Sequence, residues 1–200
     1  MRQRFVNGGY QYIIHYQPNL DQLTKDKIKY GLESFYILIT KLVFIFFVAW
    51  ILNIALEVLI FLFLYNIIRT TSFGLHATKS WICLVSSTLI FILVPMMCLY
   101  VDIPINIKTI LGIIGTICMI KNAPADTYKR PIINPKRRLI YKILSTIIAL
   151  GLTITSILLE NTFWANCCIM ALVVQCFMIS PLVYKLFKLP YNNYLKYQHS

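Results

Sequence analysis

The chain's thiol and imidazole side chains are few: six cysteines and three histidines. His15 and His199 have no evident partner in the sequence, whereas His76 precedes Cys83 by seven residues. Cys98, Cys118, Cys167, Cys168 and Cys176 lie inside long apolar runs and read as small packing side chains. Cys83 differs, because it opens such a run directly behind polar residues. Thr78 or Ser80 can cap a helix there. With Ser80 as the cap, Cys83 falls in the first turn, near the positive end of the helix dipole. That position, Lys79 and a protonated His76 all favour the thiolate, which is the nucleophilic form. The chemistry this allows is attack of sulfur on a carbonyl, with the imidazole as base.

The spacing sets a geometric condition. On one continuous helix, residues seven apart share a face but are separated by ~10.5 Å of rise. A thiol–imidazole contact needs about 3 Å. The helix bearing Cys83 must therefore start after His76, and Gly74 supplies a flexible position for the bend. Without that bend, His76 is an interfacial polar side chain whose nearness to Cys83 in sequence is coincidental. No zinc-ligand spacing, serine triad or phosphate-binding glycine loop is present, so neither metal nor cofactor is expected. Glu33, Glu57, Asp126 and Glu160 are too scattered for a carboxylate pair. Arg69 has two readings of equal weight, a binder of carboxylate or oxyanion and an anchor at a membrane boundary.

The elements that position these residues follow from composition. Of 200 residues, 58% are apolar and 13% charged, and the net charge is +12. The mean hydropathy is +0.70. So little charge cannot coat a soluble globule, and so much apolar content excludes disorder. Residues 20–34 place Leu20, Leu23, Ile28 and Leu32 on one face, as in a short amphipathic helix at a membrane surface. Residues 35–68 are almost unbroken apolar sequence, longer than one upright crossing of a ~30 Å core needs, so they either tilt strongly or fold into two short crossings, the second being the expectation. They divide into helices over 36–51 and 53–68 turning near Asn53, either as two crossings or as a re-entrant pair. Further apolar runs cover 80–100 (with a kink at Pro95), 105–120, 139–159 and 162–184. The expected fold is all-α and polytopic, with about six transmembrane helices. It forms one domain over 1–200: an interfacial N-terminal segment 1–34, a bundle 35–184 and a tail 185–200. No cleavable leader is expected, since the first apolar run begins near Tyr36.

Charge then gives sidedness. Loop 69–79 carries Arg69 and Lys79. Loop 121–138 carries Lys121, Lys129, Arg130, Lys136, Arg137 and Arg138 against Asp126 alone. The opposite loops hold Asp102 and Glu160. The positive-inside rule puts these basic loops and both termini in the cytoplasm. The basic 129–138 stretch reads either as a topology signal facing lipid headgroups or as a surface drawing in an acidic peptide.

The segment Arg69–Cys83, RTTSFGLHATKSWIC, resembles the active-site segment of the accessory gene regulator B family. Arg69, Gly74, His76 and Cys83 match its pattern, whereas Phe73 stands where many members have a second glycine. Ala123-Pro124-Ala125-Asp126-Thr127, followed by Lys129-Arg130-Pro131-Ile132, is similar to the family's APADT-type loop. LTKDKIKYGLE, residues 23–33, is a third match, and the resemblance runs in order over most of 20–190. It implies a bacterial cytoplasmic-membrane cysteine endopeptidase with its site at the cytoplasmic face. Cys83 would be the nucleophile and His76 its base, with Arg69, Gly74, Ser80 and Asp126 in support. The substrate would be an AgrD-like propeptide, held as a thioester on Cys83 and released as a cyclic thiolactone or lactone in quorum sensing. Lys129, Arg130, Lys136, Arg137 and Arg138 would meet its acidic tail. A homodimer is the family expectation. The rival class is a noncatalytic membrane protein, such as a peptide exporter or an interaction subunit. Against a transporter, the intramembrane charges Lys41 and Glu57 do not recur at matching positions. Nucleic acid is not an expected partner, because the basic residues are split among loops.

Overall fold

A left-handed residue at Asn53 (φ 55°) ends one long helix and starts the next, where the apolar run was expected to fold back. The computed structural model describes residues 2–18, 20–75, 80–127 and 131–197. In chain order the helices are α1 (Arg2–Tyr16), α2 (Gln22–Ile51), α3 (Ala55–Ser72), α4 (Ser80–Tyr100), α5 (Ile105–Asn122), α6 (Pro135–Leu158), α7 (Thr162–Ile179) and α8 (Pro181–Leu186). A 3₁₀ turn follows at Asn193–Tyr197. Among the described residues the fold is all-helical, and six helices, α2 to α7, are long and apolar enough to cross a membrane.

Local chemistry explains the ends. Asp21 caps α2 by accepting from the Thr24 amide at 3.3 Å. Asn134 caps α6 by accepting from the Lys136 and Arg137 amides, with Pro135 in the first position. Asn161 caps α7 through the Trp164 amide. Three boundaries differ from the sequence expectation. The amphipathic 20–34 stretch is no separate helix but the first part of α2, since nothing in it interrupts helical backbone. Helix α6 begins at Pro135, so Lys136, Arg137 and Arg138 lie on its first turn and not in a loop. The last apolar run breaks at Ser180, because Pro181 disfavours helical backbone in the residue before it.

Helix α7 is the centre of the bundle and packs against α3, α4, α5 and α6. Ala165, Cys167, Cys168, Ile169, Ala171, Leu172 and Ile179 are buried on it, around its full circumference. A helix apolar on all sides must be wrapped by others. Helix α5 approaches closely because it presents glycine. A methyl group at Gly115 would sit 2.7 Å from Leu172 of α7, and one at Gly112 would run into Thr153 of α6. Outward faces stay apolar: Leu56, Phe63, Leu93, Ile113, Ile147 and Ile154 are all more than half exposed. Such surfaces suit lipid, not water.

Two polar side chains of α7 tie its ends to other helices. Asn166 donates to the Cys98 and Val101 carbonyls, closing the C-terminus of α4. Gln175, about 13 Å further along the axis, donates to Ser72 Oγ and to the Phe73 carbonyl, both at 2.6 Å.

Candidate active site

The segment leaving α3 is held from two sides. Phe73 adopts φ 57° and Gly74 φ 119°. The Gly74 amide donates to the Ala125 carbonyl at 2.9 Å, and the Leu75 amide donates to the Met178 carbonyl at 3.0 Å. In return the Ala125 amide donates to the Ser72 carbonyl at 3.0 Å. The Ser72–Leu75 segment is thus stitched to the 123–127 loop and to the end of α7. A Cβ on Gly74 would lie 2.9 Å from the Met178 carbonyl oxygen, so only glycine fits. The bend expected at Gly74 is present, and it aims the chain away from α3 before α4 starts.

Arg69 lies on the last turn of α3, not in a loop. Its guanidinium donates to Tyr65 Oη at 2.8 Å and to the Leu75 carbonyl at 3.3 Å. It therefore braces the residue next to His76. Helix α4 begins at Ser80 itself, and Cys83 is half-buried in its first turn. The Cys83 carbonyl accepts from the Ser87 hydroxyl. His76, Lys79, Lys129 and Arg130 lie outside the described residues, as does the side chain of Ser80. The described geometry thus brings Arg69 onto the segment that carries Gly74 and Leu75.

One neighbour was missed in the sequence. Lys41 of α2 lies within electrostatic reach of both Cys83 and Arg69. Its signal was available: it is the only cation inside the apolar run 35–68. An intramembrane charge of this kind marks function more often than packing.

Asp126, expected in a supporting place, is engaged with backbone amides of the C-terminal segment. It is buried, and its carboxylate accepts from the Asn193 amide at 3.0 Å and the Tyr194 amide at 2.9 Å. The buried Tyr184 hydroxyl donates to the Asp126 carbonyl at 3.2 Å. Burial, and then the Asp126 charge, push the Tyr184 phenol well above its ordinary range, so it remains a donor. The carboxylate clasps the C-terminal segment and holds its own loop against Ser72–Leu75. Arg138 lies 3.8 Å away and stacks over the Tyr194 ring at 3.4 Å. Lys136 and Arg137, by contrast, are exposed.

Asp126→Asn should loosen this clasp. An amide retains one good acceptor and loses the charge, at a cost of about 1–3 kcal/mol. Hydrogen exchange of residues 190–197 should accelerate about tenfold or more in the variant. Unchanged protection would show that the clasp does not hold the tail.

The family model described as accessory gene regulator B matches residues 7–179. An AgrB-like protein of Listeria monocytogenes (serovar 1/2a) is 35% identical over 174 residues, covering 86% of this chain and 84% of its own length. An AgrB-like protein of Clostridium acetobutylicum is 26% identical over 174 residues, covering 87% and 83%. The accessory gene regulator protein B of Staphylococcus carnosus is 31% identical over 145 residues, covering 72% and 75%. No solved structure matches the chain.

Proposed function

Because the chain belongs to the accessory gene regulator B family, we propose that it is the membrane cysteine endopeptidase of an accessory gene regulator quorum-sensing system. It cuts an AgrD-like propeptide and holds the product for cyclisation. The observation that carries this reading is the placement of Cys83. It stands half-buried in the first turn of α4, behind a stitched segment that leads directly to His76.

The reaction proceeds in two halves. His76 takes the proton of the Cys83 thiol, and the thiolate attacks a backbone carbonyl of the bound propeptide. Negative charge develops on the carbonyl oxygen. The amides at the start of α4 and the cations Arg69 and Lys41 stabilise it. As the C–N bond breaks, His76 returns the proton to the departing amine of the acidic C-terminal fragment. The N-terminal part remains as a thioester on Cys83. A thiol or hydroxyl within that peptide then attacks the thioester. Its proton passes through His76 to the Cys83 sulfur, and a cyclic thiolactone or lactone leaves. Exchange of one thioester for another conserves much of the bond energy. The site lies at the cytoplasmic face, with both termini on that side. Lys129, Arg130, Lys136 and Arg137 attract the acidic tail. Asp126 acts from a distance, by holding the 123–127 loop beneath Gly74.

The thioester makes the reading testable. Purified protein incubated with its propeptide should gain the mass of the N-terminal fragment on the peptide containing Cys83, and neutral hydroxylamine should remove it. Cleavage at full rate with no adduct at Cys83, even after rapid acid quenching, would overturn the acyl-enzyme route.

A further inference from the structure

We infer that the chain carries a binding site for an anionic phospholipid, between the end of α5, the start of α6 and the C-terminal segment. It is separate from the peptidase reading. An open cavity of ≈ 440 Å³ lies there, and its wall includes Lys121, Arg138, Leu139, Lys142, Tyr191 and Tyr194. Three cations line it, and no carboxylate does. Arg138 supplies the strongest indication. Its guanidinium is packed over Tyr194, and its Nη1 is buried without a hydrogen-bond acceptor. Asp126 lies 3.8 Å from that nitrogen, beyond hydrogen-bond distance, and is engaged with the Asn193 and Tyr194 amides. Arg138, partly exposed beside Asp126, joins Lys121 and Lys142 in making the cavity basic; such a wall suits an anionic oxygen, and a phosphodiester offers two.

The apolar surroundings decide between a lipid and a water-soluble anion. Leu139 forms part of the wall and is 59% exposed. Below it on α6, Ile143, Ile147, Leu150 and Ile154 continue an exposed stripe at helical spacing. On α5, Ile113, Ile114, Ile117 and Ile120 do the same up to Lys121. Both stripes lie on membrane-spanning helices and lead into the cavity. A headgroup in the cavity would lay its acyl chains along them. An acidic peptide would need the charges but not the stripes. Basic recesses where spanning helices meet the cytoplasmic side suit anionic headgroups in this way. The headgroup would also bridge α5, α6 and the tail that Asp126 clasps.

The test is native mass spectrometry of the full-length, detergent-solubilised protein. Phosphatidylglycerol and phosphatidylcholine with identical acyl chains are the probes. One phosphatidylglycerol should remain bound where phosphatidylcholine is lost. In Lys121→Gln/Lys142→Gln, checked for unaltered melting, retention should fall about tenfold or more. Inorganic phosphate should not displace the lipid at equal concentration. Equal retention of both lipids by the wild-type protein would overturn the site, and that comparison needs no variant. Full displacement by phosphate would reduce it to a simple anion site, and displacement by a polyglutamate peptide would reassign it to peptide binding; either refutes the inference.

Discussion

Alanine or serine in place of Cys83 is expected to abolish propeptide cleavage, by a factor of about 10³ or more, while the protein still inserts. The argument combines place and chemistry. Cys83 is half-buried in the first turn of α4, at a helix start, whereas Cys98, Cys167 and Cys168 are buried in the bundle and Cys118 and Cys176, near the C-terminal ends of α5 and α7, point their thiols at the Cys176 and Gly115 carbonyls. A serine hydroxyl has the same reach but is a far weaker acid than a thiol, so the imidazole that suffices for sulfur does not activate it. His76→Ala should show the same loss and should also slow labelling of Cys83 by a thiol reagent at neutral pH. Alanine at the other five cysteines should leave cleavage intact. Co-expression with the propeptide, intact-mass detection of its fragments and immunoblotting of membranes measure all of this. Cleavage retained in Cys83→Ala or Cys83→Ser would remove the mechanism. Loss of cleavage with Cys83 intact but all thiols equally reactive would argue against an activated thiol.

The second large effect belongs to Gly74. Alanine there faces two penalties. Its backbone sits at φ 119°, which side chains rarely adopt, and its Cβ would lie 2.9 Å from the Met178 carbonyl oxygen. That oxygen already accepts from the Leu75 amide, so it cannot withdraw without breaking the stitch. Strain and lost hydrogen bonds together should cost about 2–4 kcal/mol. The cost falls on the segment that leads into His76, so Gly74→Ala should lower the melting temperature and cut propeptide cleavage at least about a hundredfold. Gly31→Ala and Gly151→Ala are the controls. Each Cβ would meet nothing within 4 Å, on helices that alanine favours. Both should melt at or slightly above the wild-type temperature. A Gly74→Ala protein that melts and cleaves normally would mean that the stitched geometry is dispensable.

Periodicity and turn chemistry made most of the bundle legible. Asn53 marks the reversal between α2 and α3, because such a residue ends a helix by local effects. Local effects failed elsewhere. Nothing in 20–34 announces that its helix continues into the membrane, since amphipathic and fully apolar stretches share one backbone conformation. Residues 2–16 form α1, where Val6 is buried and Phe5 meets Tyr36 of α2, although Gly8 and Gly9 weaken any helical signal there. The candidate site divides along the same line. The need for a bend at Gly74 followed from rise per residue. What holds that bend came from Gln175, Met178 and Ala125, some fifty to a hundred positions away, and no spacing rule reaches so far. Asp126 was visible as a lone acid among bases, but its partners are amides of Asn193 and Tyr194. Backbone partners leave no mark in side-chain identity.

The central position of α7 has a consequence for biogenesis. A ribosome delivers α2 to α6 before α7, and those helices can enter the bilayer with their core unfilled. Gln175 and Met178, which hold the segment leading to His76, are made last among the spanning elements. Until α7 slots in, Ser72–Leu75 has lost both of its α7 contacts. The nascent chain therefore passes through synthesis with the Ser72–Leu75 segment unsupported, and completion of the final span is the event that fixes it.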